Sequence, residues 1–129
     1  MTEYLDLEDL LAAAEAAVGG PAEIRDIGLL EAAAARPRAT AFGEEAYGDR
    51  DRKAAALLHS IVTSHPLVDG NKRLGWVALR LFNRMNDGNL AVAADEGFAV
   101  VVAVADGRLR DTAVIAARLR AWRSRAERS

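Results

Sequence analysis

The stretch His65-Pro66-Leu67-Val68-Asp69-Gly70-Asn71-Lys72-Arg73 joins two helical patterns, and its reading governs the rest of the chain. Upstream, Ala54, Leu58, Ile61 and His65 recur at spacings of three and four. A helix is expected from about Asp51 to Ser64, with His65 in line with its buried stripe. Pro66 and Gly70 break that pattern. Downstream, Leu74, Val77, Ala78, Leu81, Phe82 and Met85 trace the strongest helical periodicity in the chain, closed by Asp87-Gly88. This second helix is expected to be the central core element.

Outward from this pair, helical patterns continue in both directions. Asp6 is a capping residue for a helix from about Leu7 to Val18, Asp9 adds negative charge to its first turn, and Gly19-Gly20-Pro21 stops it. A shorter helix is expected over roughly Gly28 to Ala35, ending at Arg36-Pro37. From Pro37 to Gly48 periodicity is lost, which predicts an ordered loop or short hairpin. Phe98 to Ala105, FAVVVAVA, has the composition of a buried strand. It is assigned as helix because Asp95 can cap it, Gly107 can stop it, and no second strand is available to pair with it. Asp111 then caps a last helix with Ile115, Leu119 and Trp122 facing inward. With no repeat or linker in view, the expectation is an all-α bundle of about six helices forming one domain over residues 1–129.

Composition agrees with this class and excludes others. Hydrophobic residues make up 51% of the chain and alanine supplies much of that, which favours an ordered helical protein. The formal charge of −2 gives no global basic field, so direct nucleic-acid binding is not expected. The absence of cysteine removes disulfides, thiolate catalysis and cysteine-ligated metal sites. The opening MTEYLDLEDLL is acidic where a secretory signal is basic, and no run approaches a membrane span. A cytoplasmic protein with no membrane partner is expected.

As chemistry, Asp69-Gly70-Asn71 is a tight turn opening onto a helix N-terminus, where backbone N–H groups lack intrahelical partners and the dipole adds positive character. Such a turn is an anion-binding nest. Lys72 and Arg73 place two cations in the first helical turn, against the dipole. That arrangement makes sense if a phosphate chain occupies the nest. Asp69 beside it is suited to a Mg²⁺ ion carried on phosphates, which uses only one or two carboxylates. His65 is a candidate general base near neutral pH. Base, metal carboxylate, phosphate cradle and cations are the parts needed for phosphoryl or nucleotidyl transfer. The blander reading of each is a helix-ending His, a capped turn and two solvated charges. Their concurrence in nine residues favours the sharper one.

HPLVDGNKR resembles the signature loop of the Fic/Doc (Fido) superfamily, in which His-Pro-Phe is followed by a variable residue, an acid, Gly-Asn, Gly or Lys, and Arg. The segments Ile24-Arg25-Asp26-Ile27-Gly28-Leu29-Leu30-Glu31, Ala35-Arg36-Pro37 and Phe42-Gly43-Glu44-Glu45-Ala46-Tyr47 resemble the Doc branch of it, and the likeness runs from about residue 19 to the C-terminus. The resemblance implies that His65 deprotonates a target hydroxyl, Asp69 binds Mg²⁺, Gly70 and Asn71 form the nest, and Arg73 holds a phosphate of ATP. The Pro37–Gly48 region then corresponds to the flap that aligns the target. Three positions depart from the adenylyl-transferring pattern: Leu67 for Phe, Lys72 for the second Gly, and Trp76 for a second Arg. Lys72 matches the Doc branch, whose members are kinases that move the terminal phosphate of ATP to a threonine of elongation factor Tu and so inhibit translation.

The expected function is therefore that of a Doc-type toxin kinase acting on a Ser or Thr hydroxyl. AMP transfer, and a non-catalytic module that binds an antitoxin as corepressor, are the alternatives. An inhibitory helix of the pattern Ser/Thr-x-x-x-Glu-Gly/Asn is not found: Thr40 to Glu44 is followed by Glu45, and Glu96-Gly97 is preceded by Val92. Restraint is expected from a separate Phd-type antitoxin, with the C-terminal arginines Arg118, Arg120, Arg123, Arg125 and Arg128 available to an acidic face. His59 is expected to be a packed or partly exposed histidine rather than a ligand. Arg80 is expected to pair with an acid, and Arg25 with Asp26 to form an ion pair and cap.

Overall fold

In a computed structural model that describes residues 1–128, six α-helices and one small hairpin follow in the order α1 (Leu7–Val18), α2 (Ile27–Ala35), β1 (Thr40–Ala41), β2 (Glu44–Glu45), α3 (Arg50–Ser64), α4 (Asn71–Met85), α5 (Ala94–Ala105) and α6 (Thr112–Glu127). A single 3₁₀ turn, Arg36–Arg38, follows α2. The all-α expectation holds. No helix among the described residues is long and apolar enough to cross a membrane.

The caps explain the boundaries. Asp6 and Asp9 bond reciprocally across the first turn of α1, side chain to backbone at 2.8 and 2.9 Å, so Asp9 closes a capping box as well as opposing the dipole. Asp26, Asp49 and Asp111 cap α2, α3 and α6 in the same side-chain-to-backbone way. At α5 the expectation fails in detail. The helix begins at Ala94 without a side-chain cap, and Asp95 lies inside its first turn. An acid there still complements the dipole, which is why the two positions look alike in sequence.

The periodicity of α4 misidentified the central helix. Nine residues of α3 are buried, and it packs against α2, α4, α5 and α6. A helix enclosed on several sides shows a weak stripe, whereas α4 shows a strong one because one face stays wet. The stripe on α4 is also rotated from its sequence reading. Leu74, Ala78 and Phe82 are buried as expected, but Gly75, Leu79 and Asn83 join them, Val77 and Leu81 are half-buried, and Met85 is exposed. Gly75 is at the seam with α3: a Cβ there would meet Val62 Cγ1 at 2.6 Å. A glycine and an asparagine carry no hydrophobic signal, so Leu79 alone marked that flank and it did not register as a stripe.

α6 closes the bundle across α3. Ile115, Leu119 and Trp122 face inward as expected. Asp51, buried in the first turn of α3, accepts from Arg123 Nε and Nη2 at 3.0 and 2.8 Å and lies 3.3 Å from Arg120 Nε. The Asp51 carboxylate holds the Arg123 guanidinium still more firmly charged than usual. Arg120 also reaches Asp49, Arg123 reaches Glu127, and Arg125 donates to Ala91 O. These three of the five C-terminal arginines thus bond within the chain.

Between α2 and α3 the loop-or-hairpin expectation resolves as a hairpin, with Thr40 opposite Glu45 and Ala41 opposite Glu44. Its two-residue turn, Phe42-Gly43, has φ values of 54 and 79°, the double left-handed turn that matches strand twist. Phe42 at the tip is fully exposed. The hairpin base is tethered to α3 by buried Lys53, which pairs with Glu45 at 3.2 Å and donates to Tyr47 O.

Candidate active site

His65, Val68, Asp69, Gly70, Asn71, Lys72, Arg73 and Phe98 line one cleft of about 350 Å³ at the junction of α3 and α4. All six candidate residues from the sequence are therefore gathered, and two apolar residues are added.

His65 ends α3 in the left-handed conformation, φ 56° and ψ 62°, its N–H still donating to Ile61 O at 3.3 Å. Pro66 disfavours a right-handed helical conformation at the residue before it, and the chain turns away there. The side chain consequently leaves the buried stripe in which its spacing placed it and is exposed at the cleft. A left-handed non-glycine residue is uncommon and marks a position set by its surroundings.

The turn that follows is fixed from within. Leu67 is buried in the core, as an apolar anchor should be. Asn71 clamps it on both sides: its Oδ1 accepts from Leu67 N and its Nδ2 donates to Leu67 O, both at 2.9 Å. The Asn71 side chain is thus spent on the loop, and only its backbone N–H is left for the nest. Gly70 is the N-cap of α4 at φ 89°, and a Cβ there would stand 2.7 Å from Val18 Cγ1. Both facts restrict the position to glycine.

Because Gly70 has no side chain to cap with, the N-terminus of α4 stays open to an external anion. Asp69 accepts from Gly70 N at 2.9 Å and has no cationic partner among the described residues. Lys72 and Arg73 are exposed, and neither forms an ion pair among the described residues. Two unpaired cations beside an uncapped helix start give a strongly anion-seeking cleft. No cluster of three or more His, Asp or Glu side chains suited to a metal occurs among the described residues. Asp69 alone suits a Mg²⁺ that arrives already bound to phosphates.

Two neighbouring readings need correction, those of Arg25 and Arg80, while His59 is partly buried as expected. Arg25 makes no ion pair with Asp26. Asp26 caps α2, while Arg25 Nε donates to His65 O at 2.6 Å and Nη2 to Ser64 O at 2.8 Å. Arg80 forms no ion pair among the described residues and lies over the Trp76 ring, 5.8 Å from its centroid. His59 is neither a ligand nor free: its Nδ1 is 2.8 Å from Arg36 Nη1, which also reaches Ala56 O. Phe98 was missed altogether, because it lies in the apolar run of α5 and nothing local marks it as part of a cleft. Its neighbour Gly97 lets the Trp76 ring pack flat on α5, where a Cβ would meet Trp76 Cη2 at 2.4 Å.

Comparison with known proteins gives the family. The model of the Fic/DOC family matches residues 4–83, which takes in α1 through most of α4 and the entire loop. Toxin Doc of Mycolicibacterium smegmatis (strain ATCC 700084 / mc(2)155) is 53% identical over 95 residues, covering 74% of this chain and 73% of that protein. On both counts the chain belongs to the Fic/Doc family.

Proposed function

We propose that the chain is a Doc-type toxin that transfers the γ-phosphate of Mg·ATP to a Ser or Thr hydroxyl of a protein target, elongation factor Tu being the expected one. Translation is thereby inhibited in the cytoplasm. A separate antitoxin of the Phd type restrains it. The observation that carries the reading is the convergence of exposed His65, Asp69 and the unpaired cations Lys72 and Arg73 on the open N-terminus of α4. The name of the M. smegmatis relative supports the toxin part.

Under this reading the phosphates of ATP lie on the N–H groups at the start of α4, with Lys72 and Arg73 bearing on their charge. Asp69 would hold Mg²⁺, which supplies charge neutralisation on the phosphate oxygens. The neutral His65 imidazole takes the proton of the target hydroxyl. The hydroxyl oxygen bonds to the γ-phosphorus, the bond from that phosphorus to the β–γ bridging oxygen breaks, and ADP leaves. The exposed hairpin edge, with Phe42 at its tip, suits a target segment that adds as a further strand.

AMP transfer is the less favoured reaction for a specific reason. Trp76 stands where a second phosphate-binding Arg would be needed, and its ring is packed on Gly97 rather than presented to a ligand. Incubation with elongation factor Tu and ATP labelled at either the γ or the α position decides the matter. Label from the γ position alone is expected. Label from the α position establishes AMP transfer, and label from neither leaves the antitoxin-binding corepressor.

A further inference from the structure

Residues 23–26 have no part in the chemistry above, yet they are bound along the first half of the loop. Arg25 N–H and Asp26 N–H both donate to Pro66 O, at 2.8 and 3.1 Å, and Val68 N–H donates to Glu23 O at 3.0 Å. Ile24 and Leu67 pair as an antiparallel bridge. The Arg25 side chain adds the two bonds to Ser64 O and His65 O. These carbonyls belong to the two peptide planes that flank the His65 Cα. Their relative orientation is set by the φ and ψ of His65 and by nothing else, because each peptide is planar. One rigid guanidinium that grips both carbonyls therefore fixes both angles at once. Its charge also lies at the negative end of α3, where those carbonyls have no helical partner.

We infer that Arg25 is a positioning residue for His65, holding the left-handed turn from which the imidazole faces the cleft, with residues 23–26 as its splint. The inference rests on the reading of His65 as the base. Arg25 itself is exposed, so its removal strips little packing and the fold survives it. The phosphate nest, built from Gly70 and the α4 N-terminus, does not involve Arg25.

The test compares Arg25→Ala and Arg25→Lys with the unaltered chain by NMR and by transfer from γ-labelled ATP. In Arg25→Ala the backbone couplings of His65, which distinguish a left-handed from a right-handed φ, are expected to shift toward an average of conformers. Turnover is expected to fall roughly ten- to a hundredfold, with KM for Mg·ATP unchanged. Lys, which keeps the charge but lacks the planar fork, is expected to recover only part of the loss. Unchanged His65 couplings in Arg25→Ala overturn the inference, whether or not the protein transfers phosphate. A loss carried by KM instead of turnover overturns it as well. Shifted couplings in a chain whose unaltered form transfers nothing support the positioning and count against the kinase reading alone. Arg25→Gln, which retains a single donor group, is read the same way if the Ala variant does not fold.

Discussion

At His65 the spacing in sequence misplaced a residue in space. Its spacing put it on the buried stripe of α3, but its φ of 56° turns it out to the cleft. This conformation dictates how the proposed base is best removed. Asn tolerates the left-handed region far better than Ala does, so His65→Asn keeps the turn while deleting the base. Transfer is expected to drop by roughly 10²–10⁴-fold. A thermal melt should show the midpoint essentially unmoved, since the side chain is exposed and contributes little packing. The gathering of Asp69, Gly70, Lys72 and Arg73 in one cleft was legible because they follow one another in a single short turn and the helix it opens. Asn71 was read as part of the nest, whereas its side chain is a clamp on Leu67. Arg25 lies 40 positions from His65 in sequence, and no local pattern reports a bond across that distance.

The hairpin, α3 and the 3₁₀ turn meet at the Arg36 guanidinium, which joins Tyr47 Oη, Ala56 O and His59 Nδ1. Partial burial, and secondarily the charge of Arg36, hold His59 below its ordinary value. The sign of the pH effect follows. Above about 6.5 His59 is neutral whether the chain is folded or not. As pH falls below that, the unfolded chain takes the proton first, so stability is lost until the folded pKa is also passed. The melting midpoint is expected to decline as pH falls below about 6.5, and to decline less in His59→Gln. A charged His59 also loses its bond from Arg36, so faster amide exchange in residues 40–47 should accompany the decline. The hairpin itself was foreseeable from the loss of periodicity after Pro37. The α5 cap and the inner flank of α4 were not, because an acid two residues past the cap position and a glycine at a helix seam look ordinary in sequence.

The molecule as a whole is closed by α6. Asp51 is 4% exposed and depends on Arg123 for its main partner. Arg123→Ala leaves that carboxylate buried with only Arg120 beside it. Stability is expected to fall by roughly 3 kcal/mol, seen as a melting midpoint lower by roughly 10 °C. Asp51→Asn with Arg123→Met, which removes both charges, should lose less than Arg123→Ala, because no uncompensated charge remains inside. An equal or larger loss in the double variant would mean that packing, not charge burial, dominates at this contact.

That same clamp sets a clock during synthesis. Asp51 and Arg123 are 72 positions apart in sequence. At roughly 5–20 residues per second the ribosome needs about 4–14 s to make the distance between them. By about the middle of that interval α1 to α4 and the loop between them have been made, but α3 has no α6 against it and Asp51 lacks its Arg123 counter-charge. The growing chain thus holds the loop before it holds the helix that closes the bundle, and the half-made protein is the form that any early-acting partner or protease would meet first.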